Sequence, residues 1–209
     1  MAAVALACGI AASQASADMF DMTGVEPQDM CAECHGLDGI GNHIKFPRLA
    51  GQKRDYIIKQ VEDFRAGRRR NADGQMEKIA TEIDKKDIPR VADWFSKQDP
   101  PWPKLTIEAE VDLARARQIA TSGIGPWPGC LDCHSASSPY LYDRPYEAPR
   151  IAGQRDYYLV KELHDFREGR RANDPDAIMR DIARRLTDAE IVSLAVFLSQ
   201  NPALHTVEP

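Results

Sequence analysis

The chain has 209 residues, a size for one large or two small domains, and its 27 Lys and Arg against 32 Asp and Glu give a formal charge of −5. With no basic excess to neutralise phosphates, nucleic acid is excluded as a partner class. Of the five cysteines, four fall in two short motifs and Cys8 stands apart.

Residues 1–17 are small and apolar and close on Ala15-Ser16-Ala17, an A-x-A-like cleavage site. The stretch reads as a signal peptide cut before Asp18, and it is shorter than the roughly 20 apolar residues a spanning helix needs. A positively charged leading region is absent. Two alternatives stand beside cleavage: lipidation at Cys8, for which Ala5-Leu6-Ala7 is a poor recognition sequence, and retention as a membrane anchor.

Cys31-Ala32-Glu33-Cys34-His35 is a Cys-x-x-Cys-His run, and it returns as Cys130-Leu131-Asp132-Cys133-His134. Two thiols at this spacing add to the two vinyl groups of one porphyrin, and the adjacent imidazole is placed for the iron. Zinc would need a second Cys or His pair close by, and a thioredoxin-like disulfide would need a βαβ context. Neither is present, so the two motifs predict two covalently attached haem c groups, each with one iron. Covalent haem attachment is an extracytoplasmic step in bacteria, which agrees with an exported chain.

The motif is part of a longer repeat. Phe46-Pro47-Arg48-Leu49-Ala50-Gly51-Gln52 reappears as Ala148-Pro149-Arg150-Ile151-Ala152-Gly153-Gln154, and Asp63-Phe64-Arg65-Ala66-Gly67-Arg68-Arg69 as Asp165-Phe166-Arg167-Glu168-Gly169-Arg170-Arg171. Two copies of about 100 residues are two domains, since a solenoid stacks shorter units. The expected division is 1–17 signal peptide, 18–98 first domain, 99–107 linker and 108–209 second domain.

Each copy reads as all-α, helices separated by loops. Ile57, Val61 and Phe64, matched by Leu159, Leu163 and Phe166, fall at i, i+4 and i+7 and form one apolar stripe. A last helix begins near 84–87 in the first copy and at Thr187-Asp188-Ala189-Glu190, a capping box, in the second. Its inward face is Ile88, Val91, Ala92 and Phe95, matched by Ile191, Leu194, Ala195 and Leu198. Between the copies, Asp99-Pro100-Pro101-Trp102-Pro103 forbids helix and favours a stiff, extended connection. An opening helix of the second domain is expected over 108–121; its counterpart between Phe20 and Met30 is broken by Gly24 and Pro27. Domains this small have thin cores, and a covalently tied porphyrin serves each as a staple.

The second axial position separates electron carriers from centres that bind oxygen or peroxide. After each motif one methionine remains in its copy, Met76 and Met179, at equivalent places in polar surroundings. They are the candidate ligands opposite His35 and His134, and His/Met ligation leaves no open position for substrate. His43, His164 and His205 read as exposed imidazoles. The carbonyls of Pro47 and Pro149 are candidates to accept the other ring N–H of each axial histidine, the alternative being plain turn prolines. Arg65, Arg68, Arg69 and Arg70, with Arg167, Arg170 and Arg171, read mostly as solvated charges, some available to haem propionates or a partner. Tyr56 and Tyr158 are matched too and are candidates to reach a haem propionate.

With the two haem motifs, the paired Pro-Arg-(Leu/Ile)-Ala-Gly-Gln segments and Met76/Met179 in place, the chain resembles the dihaem cytochrome c4 family from Cys31 to about Gln200. The resemblance implies two class I cytochrome c folds face to face, each wrapped around one covalent haem, with His35 and Met76 on one iron and His134 and Met179 on the other. It implies a periplasmic carrier, free or membrane-associated, with redox protein partners: a quinol-oxidising complex or dehydrogenase as donor and a haem-copper oxidase as acceptor. The departures are the irregular start of the first domain and the loop 135–147, with Tyr140, Tyr142 and Tyr146. Two other readings are kept: the cytochrome subunit of an oxidoreductase complex such as a flavocytochrome sulfide dehydrogenase, and a dihaem enzyme, which the symmetric methionines disfavour.

Overall fold

The computed structural model describes residues 24, 26–102, 104–135 and 148–201. The signal peptide with Cys8, the tyrosines of the 136–147 loop and His205 lie outside the described residues. Among the described residues the fold is all-α, without strands; the only pairing of β type is a single bridge between Ile124 and Trp127.

The first half comprises α1 (Pro27–His35), α2 (Arg54–Arg65), α3 (Gln75–Glu82) and α4 (Ile88–Ser96). The second comprises α5 (Leu113–Ser122), α6 (Cys130–His134), α7 (Asp156–Arg167), α8 (Ile178–Ala183) and α9 (Asp188–Gln200). α2 lies against α3 and α4, while α7 lies against α8 and α9, and α9 also packs on α5. Removing the apolar stripes from water drives this packing. Ile57, Phe64, Leu159 and Phe166 are buried, with Val61 and Leu163 partly so. All eight residues expected on the inward faces of α4 and α9 are buried.

α9 starts at the predicted capping box. Thr187 Oγ1 accepts from Glu190 N at 3.2 Å, and Glu190 Oε2 accepts from Thr187 N at 2.9 Å. α4 opens behind Asp87 with no side-chain cap. The opening helix of the second half is shorter than expected: it begins at Leu113, where Asp112 Oδ1 accepts from Arg115 N at 2.9 Å. Residues 108–111 are instead outside any helix, and Asp156 at the start of α7 holds the chain just before them. Its carboxylate accepts from Thr106 N and Ile107 N, both at 2.7 Å.

The repeated Ala-Gly-Gln turn is tied to the last helix in both halves. Gly51 N donates to Phe95 O at 3.0 Å and Gly153 N to Leu198 O at 2.9 Å. Gly153, at φ +72°, lies so close beneath the Trp102 ring that any β-carbon there would collide with it. Arg48 stacks on the same indole, 4.4 Å from the ring centre, and donates to Pro100 O and Pro101 O at 2.9 and 3.0 Å. The proline-rich connection is thus held against both halves.

Candidate haem sites and the seam between them

α1 carries Cys31, Cys34 and His35 at i, i+3 and i+4, one face of a helix, and the short α6 does the same for Cys130, Cys133 and His134. Asn42 closes the end of α1, its amide donating to Glu33 O at 2.8 Å. Cys31 packs on the first apolar core and Cys130 on the second. Burial pushes both thiols up to about 11, so they stay protonated at neutral pH. Among the described residues no group of three His, Cys, Asp or Glu is arranged to hold a metal ion, which is what zinc would require.

Both histidines are held the same way. His35 Nδ1 lies 3.0 Å from Pro47 O and His134 Nδ1 2.8 Å from Pro149 O. A carbonyl only accepts, so each Nδ1 carries the proton and each Nε2 keeps a free lone pair. Burial lowers the pKa of both rings, that of His134 to about 4, which keeps the imidazoles neutral.

Met76 and Met179 occupy the second position of α3 and α8, half-buried. Each follows two residues in the left-handed region: Asp73 and Gly74 at φ +51° and +78°, Asp176 and Ala177 at φ +52° and +60°. The double reversal turns the chain sharply just before each methionine. In addition, Trp127 Nε1 is buried without a protein partner. Sequence reasoning passed over this residue, whose signal was its place three residues before Cys130. A buried donor of this kind is satisfied by a polar edge of a bound group. Thiols at the edge of each core, neutral imidazoles with free Nε2 and this donor all fit a haem in each half.

Between the halves runs a polar seam with approximate twofold symmetry. Arg69 donates to Glu162 Oε1 at 3.0 Å, to Tyr158 Oη at 3.1 Å and to Gln60 Oε1 at 2.9 Å. Arg171 donates to Glu162 Oε2 at 2.7 Å, to Tyr56 Oη at 2.9 Å and to Gln60 Oε1 at 3.0 Å. Each guanidinium also stacks on its own half's phenylalanine, Arg69 on Phe64 and Arg171 on Phe166. Asn71 and Asn173 cross the seam to Asp165 and Asp63 at 2.6 and 2.7 Å. Burial would raise the Glu162 pKa, but Arg69, Arg171 and Lys161 hold it down at about 2.

The expectation that the arginines are mostly solvated is corrected here for Arg69 and Arg171, which are 5% and 6% exposed. Stacking on a ring and a shared carboxylate offset the cost of burying them. Arg68, Arg70 and Arg170 are exposed, as expected. His43 is exposed too, but His164 is not: its Nδ1 accepts from Arg167 at 2.8 Å, and its side chain is 25% exposed. Tyr56 and Tyr158 receive hydrogen bonds from the opposite half's arginine, which leaves each O–H as a donor.

The cytochrome c family profile matches residues 24–99. Cytochrome c4 of Azotobacter vinelandii is 34% identical over 181 residues, 81% of this chain and 83% of that protein. A thiosulfate dehydrogenase electron acceptor of Stutzerimonas stutzeri is 32% identical over 187 residues, 87% and 83% of the two chains. Among solved structures, Acidithiobacillus ferrooxidans cytochrome c4 superimposes with a TM-score of 0.66 at 27% identity, covering 82% of this chain and 98% of that one. A thiosulfate dehydrogenase from Marichromatium purpuratum gives 0.70 at 32% identity, covering 82% of this chain and 36% of that one. With its duplicated helical halves and paired Cys-x-x-Cys-His motifs, the chain belongs to the cytochrome c4 family, dihaem electron-transfer proteins carrying two covalently attached haem c groups.

Proposed function

We propose that this chain is a periplasmic electron carrier in which 18–98 and 108–209, joined by 99–107, each hold one haem iron between a histidine and a methionine: His35 with Met76, and His134 with Met179. The observation that carries the reading is the Nδ1–H bond of each histidine to a proline carbonyl, at 3.0 and 2.8 Å, which aims Nε2 away from the protein's own hydrogen bonds. Cys31 with Cys34, and Cys130 with Cys133, anchor the porphyrins, and Pro47 and Pro149 fix the ring planes. Tyr56 and Tyr158 offer their O–H groups to propionates. A haem iron with both axial positions filled supplies reversible one-electron storage without binding substrate. Among the described residues no helix is long and apolar enough to cross a membrane.

Replacing Met76 or Met179 by Ala tests the ligands. Each variant is expected to lose its share of the Met-to-iron absorption band and to lower the potential of that haem, leaving the other unchanged. An intact band in either variant removes that methionine from the iron.

The expected route runs from a quinol-oxidising complex or dehydrogenase to a haem-copper oxidase. A second reading, electron outlet of a dehydrogenase, is favoured by the likeness to thiosulfate dehydrogenase electron acceptors and to part of a thiosulfate dehydrogenase. Native purification decides between them. A lone protein of mature mass with two haems supports the free carrier; co-purification with a catalytic subunit, flavin-containing or otherwise, supports the outlet.

A further inference from the structure

The carbonyl that holds each axial histidine belongs to a peptide group whose N–H faces the other half of the molecule. Pro47 C=O and Arg48 N–H are one peptide unit. The carbonyl accepts from His35 Nδ1 at 3.0 Å, while the N–H donates to Gln154 Oε1 at 2.7 Å. The second half mirrors this: Pro149 C=O accepts from His134 Nδ1 at 2.8 Å, and Arg150 N–H donates to Gln52 Oε1 at 2.8 Å.

Each carboxamide is fixed in register by a second bond to the same residue, Gln154 Nε2 to Arg48 O at 2.9 Å and Gln52 Nε2 to Arg150 O at 2.9 Å. Both glutamines are 7% exposed, so water does not compete for these bonds. Only an amide both donates and accepts with this geometry, which accounts for a glutamine at both places.

Resting on the proposed axial roles of His35 and His134, we infer that Gln154 and Gln52 are positioning residues that act in trans, each setting the basicity of the other half's axial histidine through one polarised peptide unit. Hydrogen bonds in series strengthen one another. An acceptor on Arg48 N–H shifts electron density onto Pro47 O, which tightens the His35 Nδ1–H bond. A histidine more strongly held at Nδ1 is the better electron donor to its metal. That favours the oxidised iron and lowers its potential. The seam is therefore part of both ligand shells, and parting the halves would change both irons together.

The test uses the full dihaem protein, in the reduced state, with the ring Nδ1–H protons of His35 and His134 followed by NMR and each haem's potential by spectroelectrochemistry. In the unaltered protein both ring protons carry the ring-current shift of an axial histidine; if either does not, the ligand assignment fails before any variant is made. In Gln154→Met, the His35 proton is expected to move upfield and to exchange with deuterated solvent faster, by up to about twofold, the cooperative share of one hydrogen bond of ordinary net strength. The potential of the His35 haem rises, and His134 and its haem are unmoved. Gln52→Met gives the converse. Gln154→Glu keeps the acceptor toward Arg48 N–H and loses the donor, so slow exchange at His35 persists. If Gln154→Met does not yield dihaem protein, the Glu variants at 52 and 154 decide: the stronger carboxylate acceptor is expected to move the ring proton of the other half's histidine downfield, in the same crossed pattern. Movement of both histidines together, of the histidine in the replaced residue's own half, or of neither, overturns the inference.

Discussion

Among the described residues, six buried ones on α2, α4 and the turn between α3 and α4 make the apolar core of the first half; in the second, ten do so, drawn from α5, α7, α9 and Leu186. α9 buries eight of its residues, α4 four. Where α4 has Trp94, 39% exposed, α9 has Phe197, 3% exposed. The seam between the halves shows no such divergence. The same residue types cross it in both directions, apart from Gln60 against Glu162 and Arg155, which donates to Ile40 O and Gly41 O where the first half has Lys53. A core needs only volume and apolarity, so each copy fills its own in its own way. A contact that must satisfy a buried guanidinium admits far fewer solutions, and the two copies have kept one.

The strongest way to break this contrast is to hollow out each core. Phe95 is fully buried, and Phe95→Ala is expected to cost about 4 kcal/mol. Leu198→Ala, at the matching place, is expected to cost about 3 kcal/mol but from a larger core. In denaturant titrations followed at both haems, the first variant should unfold in two steps with the first half leading. A single coincident step would show that the seam, and not the cores, sets cooperativity.

Removing one seam arginine probes the other side of the contrast. Arg171→Met leaves Glu162 buried with a single guanidinium and should cost about 3 kcal/mol, with Arg69→Met costing about the same. Unequal costs would mean the twofold likeness is geometric only. The pH dependence follows from the same carboxylate. Its pKa in the folded chain is about 2, below the ordinary 4.5, so the stability it contributes is present above pH 4.5 and lost as pH falls from there toward 2. Acid unfolding of Glu162→Gln should lack this component, giving a flatter stability profile over that window.

Of the two left-handed residues before each methionine, the first is Asp in both halves and the second differs. Ala177 is held at φ +60° where the first half has Gly74 at φ +78°. Ala177→Gly should raise thermal stability by about 1 kcal/mol by releasing that strain, and leave the spectrum unchanged. Smallest is the helix start: Thr187→Ala should cost about 1 kcal/mol, because Thr187 caps α9. Asp87→Ala should stay within about 0.5 kcal/mol, because Asp87 makes no side-chain cap on α4. Both are read from thermal unfolding.

Short-range chemistry was open to reading in the amino-acid order alone. The two Cys-x-x-Cys-His motifs, the apolar stripes of α2 and α7 and the capping box at Thr187 depend on residues within a few turns of one another, where spacing dictates geometry. The proline carbonyls were within reach as well, since 12 and 15 residues separate them from their histidines and the repeat marks both. What lay beyond it was decided chiefly across about 50 to 100 residues of chain. Arg69 and Arg171 look like members of solvated basic clusters until the opposite half supplies Glu162 and Tyr158 to the first, and Gln60 and Tyr56 to the second. His164 is a short-range exception: it looks exposed until Arg167, three residues on in the same helix, turns onto it. The helix expected from 108 starts later, at Leu113, after Thr106 and Ile107 are bound to Asp156. Gln52 and Gln154 are two polar residues after a glycine until each meets the peptide unit behind the other half's histidine. Charge burial and hydrogen-bond pairing depend on which groups meet in space, and only the packing of one half on the other fixes that.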